Sequence, residues 1–282
     1  WSNDKNIELP YGVTEIGESA FNGCSSLQSI VIPDSVTKIE DYAFSNCSSL
    51  QSIVIPDSVT EIEDYAFSNC SSLQSIVIPD GVTEIGDCAF DGCSSLRSIV
   101  IPEGVTEIGS GAFIGCSKLT LSCKSPFFKV ANNILYSKDG RVISCWSNDK
   151  NIELPYGVTE IGDCAFSNCS SLQSIVIPDS VTTIYYYAFK CCSSLRSIII
   201  PDGVTEIGDC AFYGCSSLRS IIIPDSVTKI GAGAFECCSS LRSMIIPEGV
   251  TEIGRGAFIG CYKLTLSCKS PFFKVVNNIL YS

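Results

Sequence analysis

Cysteine has the most reactive side chain in this chain, and the sequence contains 18 cysteines among 282 residues. Ten of them follow a phenylalanine by three positions, and this pair recurs every 23 residues in two runs of five. A catalytic thiol needs a base to activate it, yet the chain has no histidine. Because free cysteine is among the most buried residue types, we predict a structural ladder of buried side chains. This core ladder comprises Phe21, Phe44, Phe67, Phe90, Phe113, Phe166, Phe189, Phe212, Phe235, Phe258, Cys24, Cys47, Cys70, Cys93, Cys116, Cys169, Cys192, Cys215, Cys238 and Cys261.

Five further cysteines lie close to the ten phenylalanines of the core ladder, which we call the marker phenylalanines. Cys88, Cys164 and Cys210 precede a marker by two residues, and Cys191 and Cys237 follow one by two residues. The same columns of adjacent repeats hold tyrosine, asparagine or glycine, so the pattern is not the disulfide framework of small secreted proteins. Structural zinc sites prefer closer cysteine pairs, and the carboxylates recur as stripes that do not converge. We therefore predict no metal, no cofactor and no enzymatic activity.

The 23-residue period predicts a solenoid, in which each coil buries its apolar face only against its neighbours. Leu27, Ile30 and Ile32 have the spacing of a short strand, which Pro33 ends because proline cannot extend the ladder. Residues 36–39 alternate apolar and polar side chains and predict a second extended segment. Residues 41–44 are predicted to form a single helical or 3₁₀ turn.

A longer period divides the chain into modules. The segment that begins at Trp1 begins again at Trp146, and the segment that ends at Ser137 ends again at Ser282, both at an offset of 145 residues. We assign residues 1–123 and 152–268 to two repeat blocks, 124–151 to an irregular spacer and 269–282 to the start of a second spacer. The Asp139-Gly140 pair predicts a β-hairpin in the first spacer. That hairpin is either a slightly irregular coil or a protruding contact site.

The outward positions of the first predicted strand form a β-branched stripe edged by serine. β-Branched residues favour strands in general, but a contiguous apolar patch also marks contact surfaces. A column beside it holds arginine, a residue enriched at protein contacts. These candidate protein-binding residues are Val31, Val54, Val77, Val100, Val176, Ile199, Ile222, Ile245, Arg97, Arg196, Arg219 and Arg242.

A column of carboxylates follows the strand prolines. Stacked like charges repel, and we expect the Lys38 and Lys229 column to relieve this repulsion. Calcium bridging is the alternative to a solvated acidic face. The column comprises Asp34, Asp57, Asp80, Glu103, Asp179, Asp202, Asp225 and Glu248.

Composition narrows the classes of partner. The formal net charge is -12, with 18 lysines and arginines against 30 aspartates and glutamates. Nucleic-acid binding requires a basic face, so this composition argues against it. The apolar runs are too short to span a bilayer, so we expect no membrane insertion.

Segments such as FSNCSSLQSIVIPDSVTEIEDYAF at residues 44–67, repeated through residues 7–119 and 152–264, resemble the BspA-like leucine-rich repeats, also called the Treponema pallidum type. The spacer SPFFKVANNILYSKDGRVISC is similar to insertions in the same family. The resemblance implies an α/β repeat solenoid, a right-handed coil with short parallel β-strands on its concave side and short helical or 3₁₀ turns on the other. It also implies a cell-surface or secreted protein that binds host or matrix proteins or mediates aggregation, and it transfers no catalytic residues.

Two hypotheses about function follow. The first is a non-catalytic module that binds a protein partner through its concave sheet or spacer hairpins. The second is a structural protein whose near-identical modules assemble with copies of itself, end to end or laterally, into a homo-oligomer or filament. The resemblance favours a surface or secreted location, while the unpaired cysteines and the lack of a visible signal peptide leave an intracellular one open.

Overall fold

The computed structural model describes residues 4–281. Trp1 and Ser282, at which the 145-residue period begins and ends, lie outside the described residues. The chain forms two compact units. The first contains the residues up to Lys138 together with Ile143–Ser147, and the second contains Asp139–Val142 together with the residues from Asn148 onward.

The first unit is built from short strands. In chain order these are β1 (Asn6–Glu8), β2 (Glu15–Ile16), β3 (Ser29–Val31), β4 (Lys38–Ile39), β5 (Ser52–Ile53), β6 (Glu61–Ile62), β7 (Ser75–Ile76), β8 (Glu84–Ile85), β9 (Ser98–Ile101), β10 (Glu107–Ile108), β11 (Thr120–Cys123), β12 (Phe128–Ala131) and β13 (Ile134–Ser137). Strand β14 (Arg141–Cys145) has its first two residues in the second unit and its last three in the first.

The second unit repeats the same pattern. Its remaining strands are β15 (Asn151–Glu153), β16 (Glu160–Ile161), β17 (Ser174–Val176), β18 (Thr183–Ile184), β19 (Ser197–Ile199), β20 (Glu206–Ile207), β21 (Ser220–Ile222), β22 (Lys229–Ile230), β23 (Ser243–Ile246), β24 (Glu252–Ile253), β25 (Thr265–Cys268), β26 (Lys274–Val276) and β27 (Ile279–Tyr281).

Each coil contributes one strand to each of two parallel sheets. In the first unit, β5, β7, β9 and β11 form one sheet, and β1 pairs with β3 on the same side of the coils as a separate two-stranded sheet. The strands β2, β4, β6, β8 and β10 form the other sheet. We call the side that contains β5 the first sheet of a unit and the side that contains β2 its second sheet. In the second unit, β15 pairs with β17, and β19, β21, β23 and β25 form the first sheet. Arg141 and Val142 pair with β16 at the start of the second sheet, which continues through β18, β20, β22 and β24. The register shifts by one 23-residue repeat per strand, as in Ile39 opposite Ile62.

The third side of each coil is not helical, which corrects the predicted helical or 3₁₀ turn at residues 41–44. The described residues 4–281 contain turns on this side and no helix. The Tyr42 N–H donates to the Asp64 carbonyl at 2.9 Å and the Phe44 N–H to the Ala66 carbonyl at 2.8 Å, so alternate amides bond to the next coil. A helix would direct these amides back into its own turn. The fold is therefore a parallel β-solenoid without the helical layer that α/β implied.

Backbone geometry explains why the turn cannot become a helix. Two columns per coil have positive φ, which a right-handed helix excludes and which asparagine and glycine tolerate best. The column two residues before the marker phenylalanine comprises Ser19, Tyr42, Tyr65, Cys88, Gly111, Cys164, Tyr187, Cys210, Gly233 and Gly256. The column two residues after it comprises Gly23, Asn46, Asn69, Gly92, Gly115, Asn168, Cys191, Gly214, Cys237 and Gly260. The five cysteines outside the ladder that flank a marker phenylalanine all occupy these columns.

The phenylalanines stack through the core of each unit. Ring centroids of successive markers lie 5.2 to 5.7 Å apart in the first unit and 5.1 to 5.9 Å apart in the second, with planes within 8° of parallel. Phe21 to Phe235 are buried, and Phe258 is half-buried. In the first unit Trp146 ends the stack, because its ring meets Phe113 edge-on at 5.9 Å and its Nε1 donates to the Leu119 carbonyl at 3.1 Å.

The ladder cysteines lie beside the ring stack and make a repeated hydrogen bond. Cys47 Sγ donates to the Phe21 carbonyl of the preceding coil at 3.1 Å, and seven more ladder cysteines repeat this bond at 3.0 to 3.2 Å. Nine of the ten ladder cysteines are buried, and Cys261 is half-buried. These eight thiols therefore serve both as small apolar side chains and as donors to the neighbouring coil.

A hairpin follows the coils in each unit. Strands β12 and β13 pair antiparallel, and so do β26 and β27. The turn of the first hairpin is Asn132-Asn133, with φ of 52° and 58°, and Asn277-Asn278 forms the second turn with φ of 49° and 61°. Two successive residues with positive φ are what a type I′ hairpin turn requires, and asparagine accepts that geometry.

Candidate interaction surface

The predicted stripe lies on the outer face of the first sheet in both units. Its eight side chains occupy the same position of each coil, directly after a buried isoleucine or methionine, and each is between 44% and 79% exposed. The alternation of the strand produces this arrangement, because successive side chains point to opposite faces. In β21, for example, Ser220 and Ile222 are exposed and Ile221 between them is buried.

Neighbouring strands align the stripe. Ile199 lies opposite Ile222 in the parallel register of β19 and β21. Parallel strands lie about 4.8 Å apart, so the β-branched side chains of adjacent coils contact one another on the exposed face. The result in each unit is a contiguous apolar row bordered by serine hydroxyls. An exposed row of this kind is typical of a contact surface.

The arginine column follows one edge of the stripe. Arg97 in the first unit and Arg196, Arg219 and Arg242 in the second are all exposed. The Arg219 N–H donates to the Arg196 carbonyl at 2.8 Å and the Arg242 N–H to the Arg219 carbonyl at 3.2 Å, so the three residues follow one another in consecutive coils. None of the ion pairs within residues 4–281 includes any of these four arginines.

The carboxylate column lies along the other edge. In the second unit the Glu248 N–H donates to Asp225 Oδ1 at 3.2 Å, so at least one of these carboxylates is used within the coil stack. Across residues 4–281 no group of three or more cysteine, aspartate or glutamate side chains is placed to hold a metal ion.

The lysines bind elsewhere than predicted. Lys38 Nζ lies 2.7 Å from Glu63, 3.1 Å from Glu61 and 3.4 Å from Glu40, all beside the second sheet. Hydrogen bonds to Glu63 and then to Glu61 raise the pKa of Lys38. Lys229 likewise pairs with Glu206 at 2.8 Å. Both lysines thus relieve repulsion among the glutamates beside the second sheet. Neither forms an ion pair with the carboxylates that follow the strand prolines, within residues 4–281.

A shallow groove interrupts the stripe of the second unit. Its volume is about 350 Å³, and its lining includes Ser220, Ile222, Met244, Ile245, Pro247 and Lys269. The groove gives the row of isoleucines a local depression. Among the described residues, 4–281, no helix is long and apolar enough to cross a membrane.

Comparisons with known proteins agree with this architecture. A family model described as a BspA type leucine rich repeat region (6 copies) matches residues 1–120 and 144–265. The chain is similar to the crystal structure of a leucine rich cell surface protein from Faecalibacterium prausnitzii, with 30% sequence identity and a TM-score of 0.78 over 95% of this chain and 88% of that one. No curated protein sequence matches it.

Two more solved structures share the fold at lower identity. A leucine-rich repeat protein from Eubacterium ventriosum is 24% identical, with a TM-score of 0.68 over 98% of this chain and 87% of that one. The pneumococcal vaccine antigen PcpA is 23% identical, with a TM-score of 0.69 over 99% of this chain and 83% of that one. Because the family model covers both repeat blocks, the chain belongs to the BspA type leucine-rich repeat family.

Proposed function

We propose that this chain is a non-catalytic protein-interaction module of a cell-surface protein, and that the exposed stripe of the first sheet in the second unit is its contact surface. The observation that carries the proposal is the row of exposed isoleucines, Ile199, Ile222 and Ile245, lined up beside a column of arginines without ion pairs among the described residues. The similarity to a leucine rich cell surface protein supports the surface location.

The chemistry of the surface defines the partner. Arg196, Arg219 and Arg242 offer donors that match carboxylates in a bidentate geometry. The adjacent isoleucines offer apolar area that stabilises binding when it is removed from water. The partner is therefore a protein segment in which aspartate or glutamate accompanies apolar side chains, as a host or matrix protein exposes on its surface.

The two units differ at this surface in a way that provides a control. At an offset of 145 residues, Arg196 corresponds to Gln51 and Arg219 to Gln74. The isoleucines of the second unit's stripe correspond to valines, namely Val54, Val77 and Val100. Charge complementarity between a basic column and an acidic partner increases both association rate and selectivity. The second unit therefore binds the acidic, apolar segment and the first unit does not.

Selection from a random peptide library tests this function. The purified chain is the bait, and the double variant R196Q/R219Q, which restores the glutamines of the first unit, is the counter-selection bait. We expect the enriched peptides to combine aspartate or glutamate with apolar residues. Enrichment of basic peptides, or the same peptides on both baits, contradicts the proposal.

Light scattering across a range of protein concentrations tests the alternative of self-assembly. The proposal predicts a constant molar mass under reducing conditions. A molar mass that rises with concentration until fibres form would instead make a filament the function of the exposed rows.

A further inference from the structure

The run Tyr185–Tyr187 departs from the repeat in the second unit. In every other repeat the position of Tyr185 holds glycine or glutamate, and the position of Tyr186 holds a charged or small residue. At an offset of 145 residues the first unit has Glu40 and Asp41 in these places. Two aromatic side chains at one coil of an otherwise regular stack mark a local specialisation.

A pocket lies directly beside these tyrosines. Its volume is about 370 Å³, and its lining includes Asp163, Thr183, Tyr185, Tyr186, Glu206 and Lys229. Ligand pockets begin at about 300 Å³, so this one holds a small molecule and no large one. The pocket belongs to the second-sheet side of the unit, away from the stripe on the first sheet, and the two sites are independent.

Neighbouring aromatic and cationic side chains contact the tyrosine rings beside the pocket. The Tyr186 ring centroid lies 3.9 Å from that of Tyr187, and Lys190 Nζ lies 4.3 Å from the Tyr187 centroid. The Arg141 guanidinium lies 5.3 Å from the Tyr185 centroid. The Tyr186 side chain nevertheless remains 46% exposed. These contacts fix the rings as a wall that presents aromatic surface beside the pocket.

Two ion pairs and a third carboxylate lie beside the pocket. Glu206 Oε1 lies 2.8 Å from Lys229 Nζ, and Asp163 Oδ2 lies 3.0 Å from Arg141 Nη2. Asp209 Oδ1 accepts the Ala232 N–H at 2.7 Å. An anionic ligand would have to displace a carboxylate from one of these ion pairs and would also lie beside the Asp209 carboxylate. A neutral polyol uses them intact, because its hydroxyls both donate to carboxylates and accept from ammonium and guanidinium groups.

We propose that this pocket binds a neutral saccharide of one or two rings. The aromatic wall takes the apolar C–H face of a pyranose, while the paired charges bind its hydroxyls. Sites of this kind combine aromatic surface with a few convergent polar groups, and both are present here.

Ligand-observed saturation-transfer NMR on the purified chain tests the proposal. The probes are glucose, galactose, mannose, N-acetylglucosamine and lactose, each at about 10 mM, so that dissociation constants in the millimolar range are detected. Glucuronate and N-acetylarginine amide serve as the anionic and cationic probes. The variant Y185E/Y186D recreates the Glu40-Asp41 pair of the first unit, a sequence that this solenoid already accommodates. Y186D alone is the milder second variant. It introduces the residue type that the same repeat position already holds at Asp41, Asp64 and Asp87.

We expect at least one neutral saccharide to bind the wild type, and its affinity to fall about tenfold in either variant while circular dichroism and thermal unfolding stay unchanged. The proposal is overturned when no saccharide of the panel binds, when binding survives both variants, or when only a charged probe binds. None of these outcomes bears on the peptide-binding stripe, because neither variant touches the first sheet.

Discussion

Each ladder cysteine occupies a position where the coil needs a small side chain that also donates a hydrogen bond. Cys70 illustrates this, because it is fully buried and its Sγ donates to the Phe44 carbonyl at 3.1 Å. Burial raises the pKa of Cys70 and of Cys93, the next thiol along the ladder. The thiolate is the reactive form of cysteine, so Cys70 and Cys93 are unreactive in the folded protein at neutral pH.

The raised thiol pKa values predict that stability is lost at alkaline pH. Burial raises the pKa of Cys47 from 9.0 to about 12, while the unfolded chain ionises this thiol above pH 9.0. The protonated Cys47 thiol therefore makes its full contribution to the free energy of unfolding below pH 9.0. This contribution falls as pH rises from 9.0 toward 12, with a limiting slope of about 1.4 kcal/mol per pH unit.

Urea unfolding at about pH 8 and about pH 10 measures this loss in the wild type and in Cys47→Ala. The variant lacks one ionising thiol, so between these two pH values its free energy of unfolding should fall by about 1.4 kcal/mol less in total than that of the wild type. Equal slopes in the two proteins would show that the Cys47 thiol has the same pKa in the folded and unfolded states.

The columns with positive φ predict which of two substitutions at Cys237 gives the more stable protein. Cys237 is exposed and has φ of 61°, and the same column holds Gly214 and Gly260 in the adjacent coils. A non-glycine residue in this region costs about 1 to 2 kcal/mol, part of which glycine's greater freedom in the unfolded chain offsets.

We therefore expect Cys237→Gly to be more stable than Cys237→Ala by about 1 kcal/mol in urea unfolding under reducing conditions. Both variants remove the thiol, and only glycine accepts the positive φ without strain. A Cys237→Ala protein as stable as Cys237→Gly would mean that the backbone geometry at this position carries no strain.

At the scale of the element, periodicity was enough to predict the two strands of each coil but not its third side. The apolar positions Ile30 and Ile39 repeat with the alternation of strands and lie in β3 and β4. Residues 41–44 have the composition of a helical turn, and the hydrogen bonds that exclude a helix join Tyr42 and Phe44 to the next coil. Those partners are about one repeat distant, so no local pattern shows them. The recurring asparagines and glycines of the left-handed columns were the available signal.

The turn before β14 predicts a contrast between two glycines. Gly140 has φ of +100° and Gly157 has φ of +97°, so alanine is strained at both. A Cβ at Gly140 would also collide with the Gly157 carbonyl oxygen and approach Thr159 Oγ1 to 3.0 Å, whereas a Cβ at Gly157 meets nothing within 4 Å.

We expect Gly157→Ala to lower the free energy of unfolding by about 1 to 2 kcal/mol, and Gly140→Ala to lower it by about 1 to 3 kcal/mol more. Chemical unfolding of the two variants beside the wild type measures the difference. Equal destabilisation would mean that the approach of the two backbone segments is looser than described.

At the scale of the whole molecule, the sequence predicts the exposed stripe but not the pocket beside Tyr186. Ile199 and Ile222 were assigned to an outward row because strand alternation alone decides which side chains face solvent. The pocket beside Tyr186 depends on contacts between side chains of successive coils, as in the pairing of Glu206 with Lys229. Its available signal was a break in the repeat, the tyrosine run where other coils have small or charged residues.

The duplication of the module provides the sharpest tests, because each unit contains the reference residues for the other. Gln51 and Gln74 show that the fold accepts glutamine where the second unit has Arg196 and Arg219. The variant R196Q/R219Q therefore changes the charge of the contact surface and leaves the core unchanged.

The measurement that tests the central claim most directly is fluorescence anisotropy of one labelled acidic, apolar peptide against the wild type and R196Q/R219Q. Exposed charge pairs contribute about 0.2 to 1 kcal/mol each, so we predict that the dissociation constant rises about two- to thirtyfold in the variant. We also predict that added salt weakens binding to the wild type more than to the variant. Equal affinities and equal salt dependence in the two proteins would contradict a binding surface built on the arginine column.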